Sequence, residues 1–210
     1  DAFDIVVRGH GGHGAYPHVT IDPVPILASI ASGLYELVGR LVDPTHAALI
    51  SIGRIEAGAT HNIIPDSAML QGIIRTMEES DRRLLHAEVR RFAEHTAAAR
   101  GARAEVTLLR GDPVLANDHD LVVRLDPLLH AARLPVAELP FRSLGADDFS
   151  HFGQRVPIVM MFVGTGEEAD TRHDIGLHHA KFLPGEHTIR TVAAALAAGY
   201  VAGAHLAGAI

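Results

Sequence analysis

The sequence contains no cysteine, which excludes disulfide bonds and thiolate metal ligands and is compatible with the reducing cytoplasm. Long apolar runs are also missing: none approaches the roughly 20 residues of a membrane span, and no signal-peptide pattern follows Asp1, so no membrane partner is expected. Positive charge is scarce, because 18 Lys and Arg stand against 25 Asp and Glu, for a net charge of -7. This balance argues against a nucleic-acid partner, which would require a strongly basic face.

Apolar residues and histidine are abundant instead. At 210 residues and 48% apolar content, the chain can form one large domain or two small ones with buried cores. Histidine occurs 15 times, and it is the commonest metal ligand and the usual proton-transfer residue near neutral pH. Most of these histidines are expected to be solvated surface residues. Examples are His46, His86, His95 and His130.

The first 110 residues show alternating strand and helix patterns. Strands are predicted from period-two alternation or β-rich composition, and helices from apolar residues at helical spacing after a capping residue. The segments are a strand at 3–7, a helix at 22–41, strands at 47–55 and 68–76, a helix at 79–101 and a strand at 103–109. The order βαββαβ predicts a ferredoxin-like domain, with an antiparallel four-stranded sheet and two helices on one face.

Residues 111–210 follow a different pattern. A helix is predicted at 118–134 and an alanine-rich helix from about Pro184. Between them the segment VPIVMMFVG, 156–164, is a nearly continuous apolar run, which is typical of a strand buried on both faces of an α/β sheet. One such strand cannot form a sheet alone, so this half is expected to be part of a larger α/β domain.

The loop RGHGGHGAYPH, Arg8 to His18, has three possible functions. A phosphate-binding loop is disfavoured, because the helix begins about eight residues after Gly14 and no lysine follows the glycines. A metal site formed by His10, His13 and His18 is conceivable, although the three histidines share no regular spacing on one element. The third possibility is a mobile loop that carries one functional imidazole. The local residues leave this choice open.

Three further segments carry candidate site residues. The segment HDIGLHHAKF, 173–182, follows the apolar run, where α/β proteins place their chemistry, and its histidines could bind a metal. Asn62 and Arg75 could bind a carboxylate together, although Arg75 could equally pair with a nearby acid. In GADDFSHF, 145–152, the two adjacent aspartates could orient a ligand, but capping of a short helical turn is favoured.

The order and spacing of these motifs resemble the co-catalytic zinc aminoacylase and carboxypeptidase family, particularly its amidohydrolase branch of hippurate hydrolases and N-acyl-amino-acid amidohydrolases. The segments that carry the resemblance are GHGGHGAYPH with DPV, EAGATHNIIPDSAMLQGIIRT, GADDFSHF and GLHHAKFLPGE. The resemblance runs from end to end of this chain but covers only part of the family's length. It implies a complete lid (dimerisation) domain at 1–110 and the C-terminal portion of an α/β metallohydrolase catalytic domain at 111–210.

The resemblance also implies a role for each candidate residue. His13 would reach across a homodimer from a mobile loop and stabilise the oxyanion in the partner's active site, without a local metal. Asn62 and Arg75 match lid residues that bind the substrate carboxylate, and Gly145 is assigned to substrate binding. His178 matches the last metal ligand in the chain, and the metal would be zinc, with manganese possible.

The family's other metal ligands and its glutamate general base lie upstream of the segments present here. One ligand does not hold zinc, which needs three or four. Moreover, the family pattern GSEDFS reads GADDFS here. We therefore expect the C-terminal half of a cytoplasmic, metal-dependent amidohydrolase that cleaves N-acyl amino acids or small peptide-like amides. The alternatives are a non-catalytic dimerisation module and a histidine-rich protein that sequesters metal.

Overall fold

The computed structural model describes residues 1–139, 141–165 and 177–208, which form two compact units. The first unit comprises Asp1–Leu115 and Leu144–Ser150, and the second comprises Ala116–Ser143 and His151–Ile210. Each unit is built around its own secondary structure.

The first unit contains a four-stranded antiparallel sheet with strand order β3-β5-β1-β6. Its strands are β1 (Ala2–Arg8), β3 (Ala48–Ala57), β5 (Ser67–Thr76) and β6 (Arg103–Leu109), and its helices are α1 (Pro23–Leu41) and α2 (Glu79–Ala98). Two shorter strands, β2 (Gly12–His13) and β4 (Ile63–Ile64), form a separate ribbon. This order and connectivity confirm the predicted ferredoxin-like βαββαβ fold.

Alternation along β1 creates the core. Phe3, Ile5 and Val7 are completely buried beneath the two helices, while the residues between them lie on the opposite face of the sheet. Each buried side chain of this size contributes about 1.5–3 kcal/mol to folding. The helices approach closely where Gly33 faces Phe92, since a Cβ at position 33 would lie 2.1 Å from that ring. Gly33 therefore permits close packing of α1 against α2.

The predicted helix ends are confirmed. The Asp22 side chain accepts a hydrogen bond from Val24 N at 2.9 Å, and Pro23 occupies the first turn of α1. After α2, Gly101 adopts a φ of +75°, a left-handed conformation that glycine adopts without the Cβ penalty. Both ends follow from the local residues alone.

A buried ionic cluster, unlike the helix ends, has no local sequence signal. The Asp1 carboxylate accepts hydrogen bonds from the Arg82 guanidinium, from Gly111 N at 2.7 Å and from His86 Nε2 at 2.5 Å. The cluster ties the beginning of β1 and the segment after β6 to α2. The prediction that His86 is a solvated surface residue is wrong, because its imidazole is four-fifths buried against Asp1.

The second unit pairs α3 (His119–Ala131) with α4 (His187–Leu206). Ala198 and Ala202 of α4 and Leu125 of α3 share a small buried cluster. By length and composition alone, α1 and α4 could cross a membrane. However, α1 packs its apolar side into the core of the first unit, and α4 packs its alanines against α3.

The apolar run 156–164 forms no strand, so the predicted strand is wrong for this chain. Ile158 is buried, but Val156 and Phe162 are half-exposed. The Asn117 side chain bridges the backbone of Met160, donating to its carbonyl at 3.0 Å and accepting from its N–H at 2.8 Å. A strand requires neighbouring strands, and the described part of the second unit supplies none.

Candidate functional site

The β2–β4 ribbon continues the β1–β5 ladder beyond the end of the main sheet. Arg8 pairs with Ser67 at that end, and the chain then continues to pair His13 with Ile63. Beyond this pair, Gly14 N donates to the Asn62 carbonyl at 2.8 Å. His13 at the end of β2 and Asn62 just before β4 thus lie at the same end of the ribbon. We call this end, residues 13–16 and 60–63, the tip.

The glycines of this loop permit close approach of neighbouring backbone. A Cβ at Gly9 would lie 2.0 Å from the Ile21 carbonyl oxygen, and one at Gly11 would lie 2.5 Å from the Ile64 carbonyl oxygen. His10 exchanges two backbone hydrogen bonds with Ile21, each of 2.9 Å. The loop is therefore hydrogen-bonded along both sides, and the mobility that the resemblance implies stays a prediction.

The His13 imidazole is exposed, and its tautomer is fixed by the backbone. Ala15 N donates to His13 Nδ1 at 3.1 Å. Because a backbone amide can only donate, Nδ1 must carry the lone pair and the neutral ring must carry its proton on Nε2. The exposed nitrogen of His13 is therefore a hydrogen-bond donor, whereas a metal ligand would need a lone pair there.

Tyr16 separates the histidines of this loop. Its ring centroid lies 5.4 Å from that of His13 and 6.4 Å from that of His18, with the second pair edge to face. Across residues 1–139, 141–165 and 177–208, no three His, Cys, Asp or Glu side chains are grouped to hold a metal ion. His10, His13 and His18 thus do not form the metal site that was one alternative for this loop.

The Asn62 side chain is also oriented by a neighbour. Thr60 Oγ1 donates to Asn62 Oδ1 at 3.1 Å, and both residues are exposed. Because the carbonyl oxygen faces Thr60, the amide NH₂ group is the part of the side chain that remains to face a ligand. Asn62 and His13 consequently both present N–H donors at the tip.

Arg75 lies at the opposite end of the sheet from the tip. It pairs with Leu49 near the end of β5, eight residues beyond Ser67. Eight residues of strand span about 26 Å at the usual rise of about 3.3 Å per residue. Within one chain, Asn62 and Arg75 therefore lie too far apart to hold the same small carboxylate, and their joint binding of a carboxylate stays a prediction that would require two subunits.

Arg75 has no ion-pair partner within the part of the chain that the structure describes. The interpretation of Arg75 as a structural arginine paired with a nearby acid is therefore not supported. Its neighbour Ile74 exchanges backbone hydrogen bonds with Asp1, donating at 3.0 Å and accepting at 2.9 Å. Arg75 thus lies beside the buried ionic cluster of Asp1, at the end of the sheet where the chain enters and leaves the domain.

Gly145 is exposed, two residues before Asp147. Asp147 Oδ1 accepts a hydrogen bond from Phe149 N at 2.9 Å, at the beginning of a short 3-10 helix, Asp148–Gln154. The prediction that the aspartates cap a short helical turn is confirmed for Asp147. No ligand-binding arrangement around Gly145 follows from these contacts.

His178 is exposed in a turn and has a φ of +70°. A left-handed conformation of this kind costs a non-glycine residue roughly 1–2 kcal/mol, and such strain is concentrated at functional sites. The next residue differs: His179 Nδ1 accepts from Lys181 N at 3.1 Å, so its Nε2 carries the proton. His173 lies outside the described residues.

Sequence reasoning missed Thr60, Ala15 and the partners of Asp1. The Thr60 and Ala15 contacts depend on loop geometry, although a threonine two residues before an asparagine is a usable hint of a side-chain hydrogen bond. Arg82 is 81 residues from Asp1, and no spacing rule relates them.

The family match covers most of the first unit. Residues 2–100 match the model described as the peptidase dimerisation domain. The chain is 38% identical to thermostable carboxypeptidase 2 of Saccharolobus solfataricus, over 80% of this chain and 42% of that protein. It is 32% identical to N-acetylcysteine deacetylase of Bacillus subtilis, over 82% of this chain and 45% of that protein.

A solved structure shares the fold of both units. A dinuclear metal-binding peptidase of the M20 family from Bacillus subtilis matches with a TM-score of 0.74 and 28% identity. That match covers 96% of this chain and 48% of the other. The chain therefore spans about half the length of its relatives, and it corresponds to their C-terminal part.

Proposed function

We propose that this chain, whose residues 2–100 belong to the peptidase dimerisation domain of the M20 family, is the C-terminal half of a metal-dependent amidohydrolase. The relatives named above include a carboxypeptidase and a deacetylase, and both names describe hydrolysis of an amide bond. The substrate class that fits both is an N-acyl amino acid or a small peptide. We further propose that the whole protein acts in the cytoplasm as a homodimer.

The observation that carries this proposal is the backbone-fixed tautomer of His13. A neutral imidazole with its proton on Nε2 can donate to the oxyanion that forms when an amide carbonyl is attacked. The Ala15 N–H opposes the other neutral tautomer, because two donors would then face each other. His13 is thus prepared in advance for electrostatic stabilisation of a developing negative charge, and it does not need to move a proton.

The distance between the tip and Arg75 determines which subunit each residue would serve. The connections to the rest of the chain leave at the Arg75 end, where Ala2 pairs with both Ile73 and Leu109. The tip lies at the other end of the sheet, about 26 Å away at the usual strand rise of about 3.3 Å per residue. We therefore assign His13 and Asn62 to the partner's active site, and Arg75 to the active site of its own subunit.

The binding site for a divalent metal would be completed by residues outside this chain. His178 supplies one imidazole, and the described residues offer no set of three ligands. When bound, such a metal polarises a carbonyl and lowers the pKa of a coordinated water. Gly145, two residues before Asp147, is proposed to contact substrate. A non-catalytic dimerisation module is the second candidate, and the incomplete ligand set favours it for this chain in isolation.

Mixing of inactive subunits tests these assignments in the whole protein. The two tip variants, His13→Ala and Asn62→Ala, should form one complementation group, and Arg75→Ala and His178→Ala should form the other. In a mixed dimer from different groups, one of the two sites has an intact pocket and receives an intact tip. Equal mixing should restore about one quarter of wild-type activity, because about half of the dimers are mixed and each mixed dimer has one intact active site of its two.

Mixing within one group is the matched control and should restore nothing. Recovery from His13→Ala with Asn62→Ala would contradict the assignment of both residues to the partner's site. Absence of recovery from verified mixed dimers of His13→Ala and His178→Ala would contradict action across the dimer. A whole protein that binds no metal and hydrolyses no N-acyl amino acid would favour the dimerisation module.

A further inference from the structure

Thr60 determines which end of the Asn62 amide faces a ligand. We propose that Thr60 is a positioning residue: its hydroxyl holds Asn62 Oδ1 and thereby makes Asn62 a hydrogen-bond donor toward substrate. The inference rests on the 3.1 Å contact between Thr60 Oγ1 and Asn62 Oδ1. Its connection to catalysis rests on the proposed function, because only there does the tip of one subunit enter the site of the other.

An unconstrained asparagine can present either its carbonyl oxygen or its NH₂ group, and it accommodates acceptors and donors alike. A hydrogen bond from Thr60 removes that choice and reduces the entropy lost when a ligand binds. The Asn62 backbone is already fixed, since its carbonyl accepts from Gly14 N at 2.8 Å. Thr60 therefore controls the remaining freedom, which is the rotation of the amide group.

The two side chains at the tip then match one kind of ligand group. His13 presents Nε2–H because Ala15 N occupies its Nδ1, and Asn62 presents NH₂ because Thr60 occupies its Oδ1. Both are neutral donors, so the tip favours groups that carry only lone pairs, such as a carbonyl, a carboxylate or an oxyanion. A substrate amine or ammonium would face two donors without an acceptor and would be disfavoured.

Side-chain amide NMR on this chain tests the positioning directly. The sequence contains only two asparagines, Asn62 and Asn117, and two glutamines, Gln71 and Gln154, so the side-chain NH₂ spectrum has four pairs of signals. Asn117 is an internal reference for an ordered amide, because the Met160 backbone forms hydrogen bonds with both the NH₂ group and the carbonyl oxygen of its side chain. Nitrogen-15 relaxation of the Asn62 amide, compared with Asn117, reports how strongly Asn62 is held.

Two substitutions separate the hydroxyl from the shape of the side chain. Thr60→Val keeps the branched shape and removes the donor, and it should increase Asn62 amide motion to that of a free surface side chain. Thr60→Ser retains the hydroxyl and should leave Asn62 as ordered as in the wild type, while Asn117 stays unchanged in both. An Asn62 amide that is equally ordered in Thr60→Val, or already free in the wild type, would overturn the proposal.

Kinetics of the whole protein test the consequence. One neutral hydrogen bond contributes about 0.5–1.5 kcal/mol, so Thr60→Val should lower kcat/KM by roughly 3- to 10-fold and Thr60→Ser should restore it. In an Asn62→Ala background Thr60→Val should cause no further loss, and a full additional loss would overturn an action through Asn62. If Asn62→Ala alone changes nothing, the proposed function of Asn62 fails, and the NMR result still decides the role of Thr60.

Discussion

His13 and His179 share one local geometry, in which Nδ1 accepts the backbone N–H two residues later. Each ring therefore keeps its proton on Nε2 while neutral and offers a donor to its surroundings. His178 lies in a turn in a strained conformation and shows no such contact among the described residues. At the scale of single residues, the backbone thus distinguishes the imidazoles that can donate from the one proposed as a ligand.

Replacement of His13 in the whole protein tests its role as a donor. His13→Ala should lower kcat by roughly 10²–10³-fold with little change in KM, because the interaction forms mainly in the transition state. Metal content should not change, and this should be measured on the same samples. His18→Ala is the control, since His18 contacts the same Tyr16 ring, and it should retain most of the activity. Loss of metal from His13→Ala would restore the metal-site interpretation of this loop.

The pH dependence of stability should reflect two histidines with opposite effects. The hydrogen bond from His46 Nδ1 to Asp81 Oδ2, 2.8 Å long, raises the pKa of His46 above its ordinary 6.5. Its contribution is complete below pH 6.5 and is lost as the pH rises through the raised folded-state pKa. His46→Gln should therefore lower Tm most at about pH 5.5 and least at about pH 8.5.

His86 should show the reverse trend. Burial, followed by the nearby Arg82 charge, lowers the pKa of His86, so protonation opposes folding. Stability is then lost as the pH falls from 6.5 through the lowered folded-state pKa. Relative to wild type, His86→Gln should gain in Tm toward acid pH. Thermal unfolding from about pH 5.5 to 8.5 checks both variants, and the same sign of trend in both would contradict this account.

At the scale of elements, the sequence predicts periodic strands and capped helix ends, and it misses strands that are too short to show a period. Each strand of the main sheet buries one face, so alternation such as that of Phe3, Ile5 and Val7 is visible in the sequence. The β2–β4 ribbon consists of two-residue strands, too short for any period, and its pairing depends on the close approach of Gly11 to Ile64. The tip was therefore recognised by family resemblance, while its hydrogen bonds required the structure.

The free edges of the sheet are candidate dimer interfaces. Both edge strands carry charged residues, Arg103 and Glu105 on β6 and the ion pair Arg54–Glu56 on β3. On the β3 side, Ile55 and Tyr35 of α1 are also exposed. Exposed apolar surface favours association, so we expect the homodimer to form through β3. Tyr35 Oη already accepts a hydrogen bond from Ile52 N on this strand at 3.1 Å.

Two matched substitutions test the choice of edge. Ile55 is 56% exposed on β3, and Leu109 is 55% exposed on β6. Ile55→Glu should weaken the dimer at least 10-fold, since a charge at the interface must be desolvated, and Leu109→Glu should leave it unchanged. Sedimentation equilibrium over micromolar concentrations measures both. A dimer disrupted only by Leu109→Glu would place the interface on the opposite edge.

At the scale of the whole molecule, the second unit exposes apolar surface that its described residues do not cover. On α4, Ile189, Leu196 and Tyr200 are 71%, 64% and 77% exposed and recur at spacings of seven and four, which places them on one side of the helix. The relatives are about twice as long as this chain, and we infer that their additional half covers such a side.

The isolated chain should therefore associate through α4. Tyr200→Glu should reduce binding of an apolar fluorescent dye and reduce concentration-dependent association, with little change in Tm, because an exposed patch of this kind promotes aggregation. Ala202→Glu is the contrasting variant, since Ala202 is fully buried against α3 and a charge there should unfold the helix pair. Dye binding that Tyr200→Glu leaves unchanged would mean that this side of α4 is covered.

The separation of the tip from Arg75 has a consequence for gene duplication. If each reaction centre takes its donors from one chain and its pocket from the other, a cell with two copies of the gene can lose the tip in one product and the pocket in the other. The pair would remain functional as an obligate heterodimer, with one working centre for every two chains. Such a division of labour would leave two paralogues, each inactive alone, and each would carry a different half of the sequence motifs that usually mark an enzyme as intact.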